Sequence, residues 1–379
     1  MKKSVLLMAA ATAIALSSCS SEETKDVAKS SNITFRSTVG LNSRGTEATT
    51  DNLKNIWVSA WAGDDAVFNA EQFTKKAGTT EFRSVGGPWF WEKDKDYTFM
   101  AFATGKDNKA NLTPTVTKTN ITLTDYTPSA TLADQLDLLV AQGTGSKVNN
   151  QTTGAKLDFD HILSQIQIKV KNTNENRKYI IKGVRISNVK GTATYTFTPG
   201  NVAAKHAWAD IKTPSQYILN QDAAITLDDQ NKDVNDLLVG ANSAMLIPQG
   251  ITAWDGQAPN QVDATFANVN GSYISLLINV QKKNAAGGWE QVYPDKAGQA
   301  DNTKFAWAAV AIPTGTWANG NKYIYTLDLS RGAGKVDPVD PGKDKTDKDP
   351  KPGEDILGGE IFFTVEVKAW APTDQTVPM

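Results

Sequence analysis

The chain has 379 residues, a formal net charge of −2, one cysteine and two histidines. The length suits two domains of ordinary size, and the charge gives no electrostatic case for nucleic acid. A lone cysteine excludes an intramolecular disulfide and is a poor metal site, while a hydrophobic content of 40% marks a folded, globular chain. Met1-Lys2-Lys3 is basic, and Val5 to Leu16 is an apolar run too short to span a bilayer. Together they read as a signal peptide over residues 1–18.

Leu16-Ser17-Ser18-Cys19 closes that segment and resembles a bacterial lipobox, in which the cysteine is acylated. Cys19 is therefore the expected lipidation site, and outer-membrane lipid an expected partner. The acidic pair in Ser20-Ser21-Glu22-Glu23 resembles the surface-export signal of Bacteroidota lipoproteins. No second long apolar run follows, so the expectation is an anchored protein on the cell surface rather than a spanning one. Ile33, Phe35, Val39 and Leu41 then alternate with polar residues, the period of a half-buried strand. Ser43-Arg44-Gly45 lies beyond it in a polar context suited to a trypsin-like protease. An anchor, a strand and a cut site suggest a strand that is removed after export, within a segment spanning 19–44. Removing a strand opens a groove that strands of other chains fill. The plainer alternative is a lipoprotein with a stalk and an ordinary first strand.

Helical periodicity is nearly absent further on. Short alternating runs at Ile56–Ala60, Tyr97–Phe102 and Ile121–Leu123, with an apolar run ending at Ala141, predict an all-β domain over 45–155. The polar stretch Gly143 to Gly154 marks the expected boundary. From Leu157 to Val170 the apolar register slips from odd to even positions, which predicts a bulge or bend between Asp160 and Ser164. Asn172 to Asn176 is a turn, with Tyr179–Ser187 as the expected hairpin partner. Further strands near 193–197, 243–247, 273–281, 304–312 and 322–329 make a second all-β domain over 156–334. Two sandwich-like domains in tandem are the expected architecture. Residues 335–355, rich in Pro, Lys and Asp, read as a solvated linker. A C-terminal segment, 356–379, carries a cleanly alternating strand with Ile361, Phe363, Val365 and Val367 on one face. That strand is a candidate donor for a groove in a neighbouring molecule.

Little in the chain points to catalysis. His161 and His206 stand far apart, neither beside a nucleophile elbow, and no Walker A, HExxH or GxGxxG element occurs. His161 reads as a structural hydrogen-bonding residue at the bend. No cofactor or metal is expected. A secreted hydrolase is the weakest of three readings. Trp89-Phe90-Trp91 offers two indoles on one face of a short strand, and aromatic rings stack on sugars. A surface glycan-binding lipoprotein is thus the alternative function, with core packing of these rings the competing explanation.

Assembled in order, these segments resemble the fimbrillin family of type V pilus subunits and related lipoproteins of Bacteroidota. The resemblance rests on the lipobox, on the strand before Arg44, on Thr46 to Trp61 and on Leu157 to Val170 with His161. Tyr323 to Leu327 and the final segment Gly359 to Trp370 complete it. It implies two transthyretin- or immunoglobulin-like sandwich domains, lipidation at Cys19 and cleavage between Arg44 and Gly45. It further implies assembly with other pilus subunits by strand exchange, and a non-enzymatic role in adhesion through a host glycan or protein receptor.

Overall fold

In a computed structural model the described residues are 32–39, 48–109, 111–232, 235–238, 243–295, 300–358 and 361–369. In chain order the strands are β1 (Phe35–Val39), β2 (Asn55–Ala62), β3 (Asp65–Lys75), β4 (Glu81–Ser84), β5 (Asp96–Ala103), β6 (Thr115–Val116) and β7 (Ile121–Tyr126). Next come β8 (Leu139–Ser146), β9 (Ala155–His161), β10 (Ser164–Lys171), β11 (Arg177–Phe197), β12 (His206–Leu227), β13 (Asn235–Leu238), β14 (Ala244–Leu246) and β15 (Gln249–Ile251). The remainder are β16 (Tyr273–Lys283), β17 (Trp289–Tyr293), β18 (Ala306–Ala311), β19 (Gly315–Trp317), β20 (Asn321–Asp328), β21 (Lys335–Val336) and β22 (Phe362–Ala369). The fold is all-β.

The first sheet closes on itself in the order β1-β4-β3-β2-β5-β8-β9, with β9 returning to β1. Its interior is aromatic, built from Phe35, Phe73, Phe82, Phe99, Trp91 and Tyr97. Alternation puts these side chains inside, because successive residues of a strand point to opposite faces. β2 and β5 are buried on both faces rather than one. Their outward residues, Trp57 stacked on Phe102 at 5.6 Å, join a second cluster with Ile121, Ile162, Tyr195 and Ile247. That cluster joins the closed sheet to the rest of the chain.

The remaining strands form two larger sheets. One runs β13-β10-β20-β22 with β14 on β10; the other runs β21-β18-β16-β11-β7-β6 with β12 on β11 and β17 on β16. Between them lies a core containing Ile166, Ile168, Val170, Tyr325 and Leu327 from one sheet and Tyr179, Ile181, Leu276 and Ile278 from the other. The bend expected between Asp160 and Ser164 is where the chain changes sheet. Leu157 and Phe159 enter the first core, Ile162 and Leu163 the joining cluster, and Ile166 to Val170 the last core. One register slip thus serves two different interiors.

Several expectations need correction. The crossing lies at Ile162–Leu163, not within Gly143–Gly154, because β9 completes the closed sheet. β6 and β7 precede that crossing in sequence yet belong to the sheet of β11, where Ala193 pairs Tyr126 and Phe197 pairs Ile121. β11 is not the hairpin partner of β10. It crosses to the opposite sheet, while β10 pairs in parallel with β20 from Gln165↔Lys322 to Lys171↔Asp328. Apolar residues on both strands face one core, which face-to-face sheets satisfy as well as a hairpin does.

The segment 335–355 is not a solvated linker. Val336 and Asp337 are fully buried, and Ile356 beyond them is almost so. The buried Arg185 of β11 pairs with Asp337 at 2.6 Å and with Asp340 at 2.8 Å, and its guanidinium lies 4.2 Å from the Trp307 ring centre. The Ser275 hydroxyl also donates to Asp337, at 2.6 Å. Asp349 accepts the backbone N–H of Asp295 and of Thr346, each at 2.7 Å. Composition suggested solvation, but Asp337 and Asp349 are buried and accept hydrogen bonds instead.

An Arg185→Ala change leaves Asp337 charged, buried and short of its main partner. It is expected to lower stability by about 3–5 kcal/mol, read as a lower urea midpoint with an unchanged slope. A loss under about 1 kcal/mol, the scale of an exposed ion pair, would show that the pair does not hold this segment.

Candidate functional site

β1 is a short strand with long-range partners on both edges. It pairs in parallel with β9 from Phe35↔Ala155 to Val39↔Phe159. On the other edge it meets β4 at Phe35↔Phe82 and Arg36↔Glu81. Ile33, Phe35, Ser37 and Val39 point inward and are buried, while Arg36 and Thr38 face solvent. Phe35 sits edge-on between Phe73, at 4.8 Å, and Phe99, at 4.9 Å. The Ser37 hydroxyl is buried with no hydrogen-bond partner. Burying Ile33, Phe35 and Val39 contributes roughly 1.5–3 kcal/mol each.

Both ends of the strand are held. The Ile33 N–H donates to the Trp89 carbonyl at 2.7 Å, and the Ala155 N–H donates to the Thr34 carbonyl at 2.8 Å. At the far end the Thr50 hydroxyl accepts the Val39 N–H at 2.9 Å and donates to the Val39 carbonyl at 3.2 Å. The chain is described again at Ala48, whose N–H donates to Asp137 at 2.7 Å. The other Asp137 oxygen accepts from His161 Nδ1 at 2.8 Å, and both side chains are buried. Residues 40–47 therefore run between two pinned ends. Leu41, Arg44 and Gly45 lie within that stretch, outside the described residues, as does Cys19.

His161 has the structural role read from the bend. Asp137 and Thr50 were not singled out from sequence. The signal for Asp137 was present, since an acid directly before the apolar run Leu138–Ala141 must be buried with a partner. His206 lies close by. Its Nδ1 bonds the Tyr195 hydroxyl at 2.7 Å, and its Nε2 is 3.4 Å from Asp160. Lys205 also donates to Asp160, at 2.6 Å. Burial pushes the Asp160 carboxyl up, but hydrogen bonds from His206 and Lys205 outweigh it and hold the group below the usual carboxylate range. Burial also raises the Tyr195 phenol well above its ordinary value, so it stays neutral.

At the other terminus β22 pairs antiparallel with β20 along its whole length, from Asp328↔Phe362 to Asn321↔Ala369. Ile361 is buried and Phe363 half-buried, edge-on to Tyr325 at 6.4 Å. Val365 and Val367 are 42% and 54% exposed. The apolar face of this strand is thus covered only at its start. Beside it lies a cleft of about 390 Å³ lined by Trp254, Ala309, Ala311, Pro313, Ile361 and Phe363.

Of the two readings of Trp89 and Trp91, core packing holds and the alternative sugar platform does not form. Trp91 is buried, edge-on to Tyr97 at 5.0 Å, and Trp89 packs on Phe68 at 5.0 Å. Phe90 between them faces solvent instead.

The fold and these two strands define an all-β protein. A short N-terminal strand completes its first sheet, and a C-terminal strand borders another. The Fimbrillin-like family model matches residues 43–341, and the chain belongs to that family. Among solved structures it is similar to a fimbrial protein from Bacteroides vulgatus, at 16% identity and a TM-score of 0.54, over 90% of this chain and 100% of that one. It is also similar to a proposed cell adhesion protein of Bacteroides ovatus, at 15% identity and a TM-score of 0.46, over 90% of this chain and 99% of that one. None of the curated proteins matches it.

Two outcomes test this description. Phe35→Ala should lower stability by about 3–5 kcal/mol, whereas Val367→Ala should change it by no more than about 0.5 kcal/mol. Similar losses from both would mean that the two strands are equally embedded. Asp160 is held below its unfolded pKa, so its contribution is full above that unfolded value and fades as pH falls through the folded one. Stability of the wild type should drop more steeply than that of Asp160→Asn between about pH 5 and 3. Parallel pH profiles would remove Asp160 from the acid response.

Proposed function

We propose that the chain is a structural or adhesive subunit of a surface fimbria. It is exported as a lipoprotein acylated at Cys19, cut between Arg44 and Gly45, and assembled by strand exchange with further subunits. It works at the cell surface without catalysis. Family membership supports the fimbrial role. The observation that carries the exchange reading is the match between two strands. β1 and the residue pairs before it place Ile33, Phe35, Ser37 and Val39 inward. The C-terminal strand repeats that order as Ile361, Phe363, Val365 and Val367, in the same chain direction and at the same spacing.

Three of the four inward residues are identical. The fourth sets valine against Ser37, whose buried hydroxyl lacks a partner. An unsatisfied buried hydroxyl costs roughly 1–3 kcal/mol, and a valine there removes that cost. The incoming strand therefore suits the groove at least as well as the strand it replaces. Its exposed Val365 and Val367 gain burial that they lack at the edge of their own sheet. A slip of one residue turns Glu366 and Lys368 inward, so register is enforced. The pinning of Val39 and Ala48 supports the cut as well. After cleavage the downstream end stays fixed by Asp137, and the upstream strand is held by non-covalent contacts alone.

Mild trypsin should cut after Arg44 and leave a folded remainder whose N-terminus is Gly45, identified by mass spectrometry. On a grid the cut full-length protein should form fibres, and the same protein ending at Gly358 should stay monomeric. Resistance at Arg44, with cutting elsewhere in folded protein, would make β1 a permanent strand. Fibres from the shortened chain would place the donor elsewhere.

A further inference from the structure

Large apolar side chains standing in solvent are unremarkable singly, and several of this chain are scattered, but three lie on the segments that make one end of the closed sheet. Val85 is 61% exposed, Phe90 51% and Val148 81%. Their neighbourhood is fixed by contacts. Asn32 bridges Phe90, and Ile33 bonds the carbonyl of Trp89. Trp91, next to Phe90, lies against Gly145 so closely that a Cβ there would come within 2.8 Å of the indole. Asn150 bonds the Ser146 N–H at 3.1 Å, shaping the single helical turn Lys147–Asn150 that carries Val148. The Ala155 N–H, just after that turn, donates to Thr34. The loop 85–95, the turn 146–154 and the first described residue, Asn32, therefore form one end of the sheet.

Chemistry at this end is interfacial. Lys93 and Lys95 are exposed and Lys147 partly so, a set of cations beside the apolar side chains. Glu92, Asp94 and Asp96, also exposed, balance them, so there is no free-standing cationic patch. Apolar side chains on the same two segments as exposed lysines suit the boundary between headgroups and acyl chains, where ammonium groups reach phosphates and apolar side chains reach hydrocarbon. Because charge is balanced, such a contact is weak and depends on a tether.

The tether is short. Thirteen residue steps separate Cys19 from Asn32, which span at most about 45 Å when extended and roughly 20 Å as a flexible coil. We propose that in the acylated precursor the 85–95 loop and the 146–154 turn rest on the lipid surface that holds Cys19, through Val85, Phe90 and Val148. This rests on the reading of Cys19 as the lipid site. It adds an orientation: the closed sheet lies membrane-proximal, the junction with the larger sheets is turned toward solvent, and the body leaves the membrane only when β1 is displaced after cleavage at Arg44.

The test uses the full acylated precursor in vesicles of phosphatidylethanolamine and phosphatidylglycerol doped with a diazirine-bearing phospholipid. Intact mass reports acylation, and peptide mapping after illumination reports lipid adducts. Adducts should concentrate several-fold in peptides covering 85–96 and 146–153. Val85→Ser/Phe90→Ser/Val148→Ser, three exposed changes that leave the core intact, should keep the protein in the vesicle fraction and lose that enrichment. Acylated, vesicle-bound protein with adducts spread evenly, or with enrichment that survives the triple change, overturns the contact and leaves the anchor standing. An intact mass without acyl chains overturns the anchor, and the contact with it.

Discussion

The closed sheet depends on one requirement: its aromatic interior must be covered on every side. Phe35 fills the space between Phe73 and Phe99, and no other described strand supplies an inward side chain at that place. β1 also supplies both backbone edges that β4 and β9 face. Without it, an apolar trough and two rows of hydrogen-bonding groups meet water together. Each loss is tolerable alone, but both in one place make a strand-shaped vacancy that selects for another strand.

The same site reaches the junction of the molecule through Asp137. Its carboxylate holds Ala48 on one side and His161 on the other, and His161 ends β9 just before the chain crosses to the next sheet. Asp160, the residue before it, binds Lys205 and His206 at the turn between β11 and β12. Both histidines of the chain therefore sit where the two halves meet. Their roles differ: His161 ties two segments of the closed sheet together through Asp137, whereas His206, at the start of β12, reaches Asp160 of β9 and so links the two halves.

What sequence made legible was alternation backed by burial. β16 and β20 read clearly because their inward positions carry Ile, Val, Leu or Tyr at period two, and β22 shows the same alternation although its Val365 and Val367 stay exposed. β12 did not, although it is among the longest strands. It lies along β11 with much of its length exposed, and Pro214, Asp210 and Thr213 interrupt its pattern. Residues 335–355 were misread for the opposite reason. Their aspartates look solvated in composition, yet Asp337 is buried because Arg185, some 150 positions earlier, points at it. Trp91 likewise could not be told from an exposed ring until Tyr97 and Phe99 were placed around it. Pairing partners are the information that a local pattern lacks.

Chain order also bears on the proposed replacement of β1. Antiparallel neighbours such as β2 and β3 are joined by a tight turn and form from local contacts. β1 lies parallel to β9, and Phe35 finds Ala155 across about a third of the chain. Contacts of such separation carry a large loop-closure cost. The other strands of the sheet, β2 to β5 with β8 and β9, are linked pairwise without it, since β4 follows β3 and β9 follows β8 in both sequence and space. The trough between β4 and β9 is thus walled by strands that pair with one another without β1. A place filled by a strand from a distance along the chain places few demands on covalent connection. It demands a direction parallel to β9, inward side chains at period two, and an aromatic ring for the space between Phe73 and Phe99.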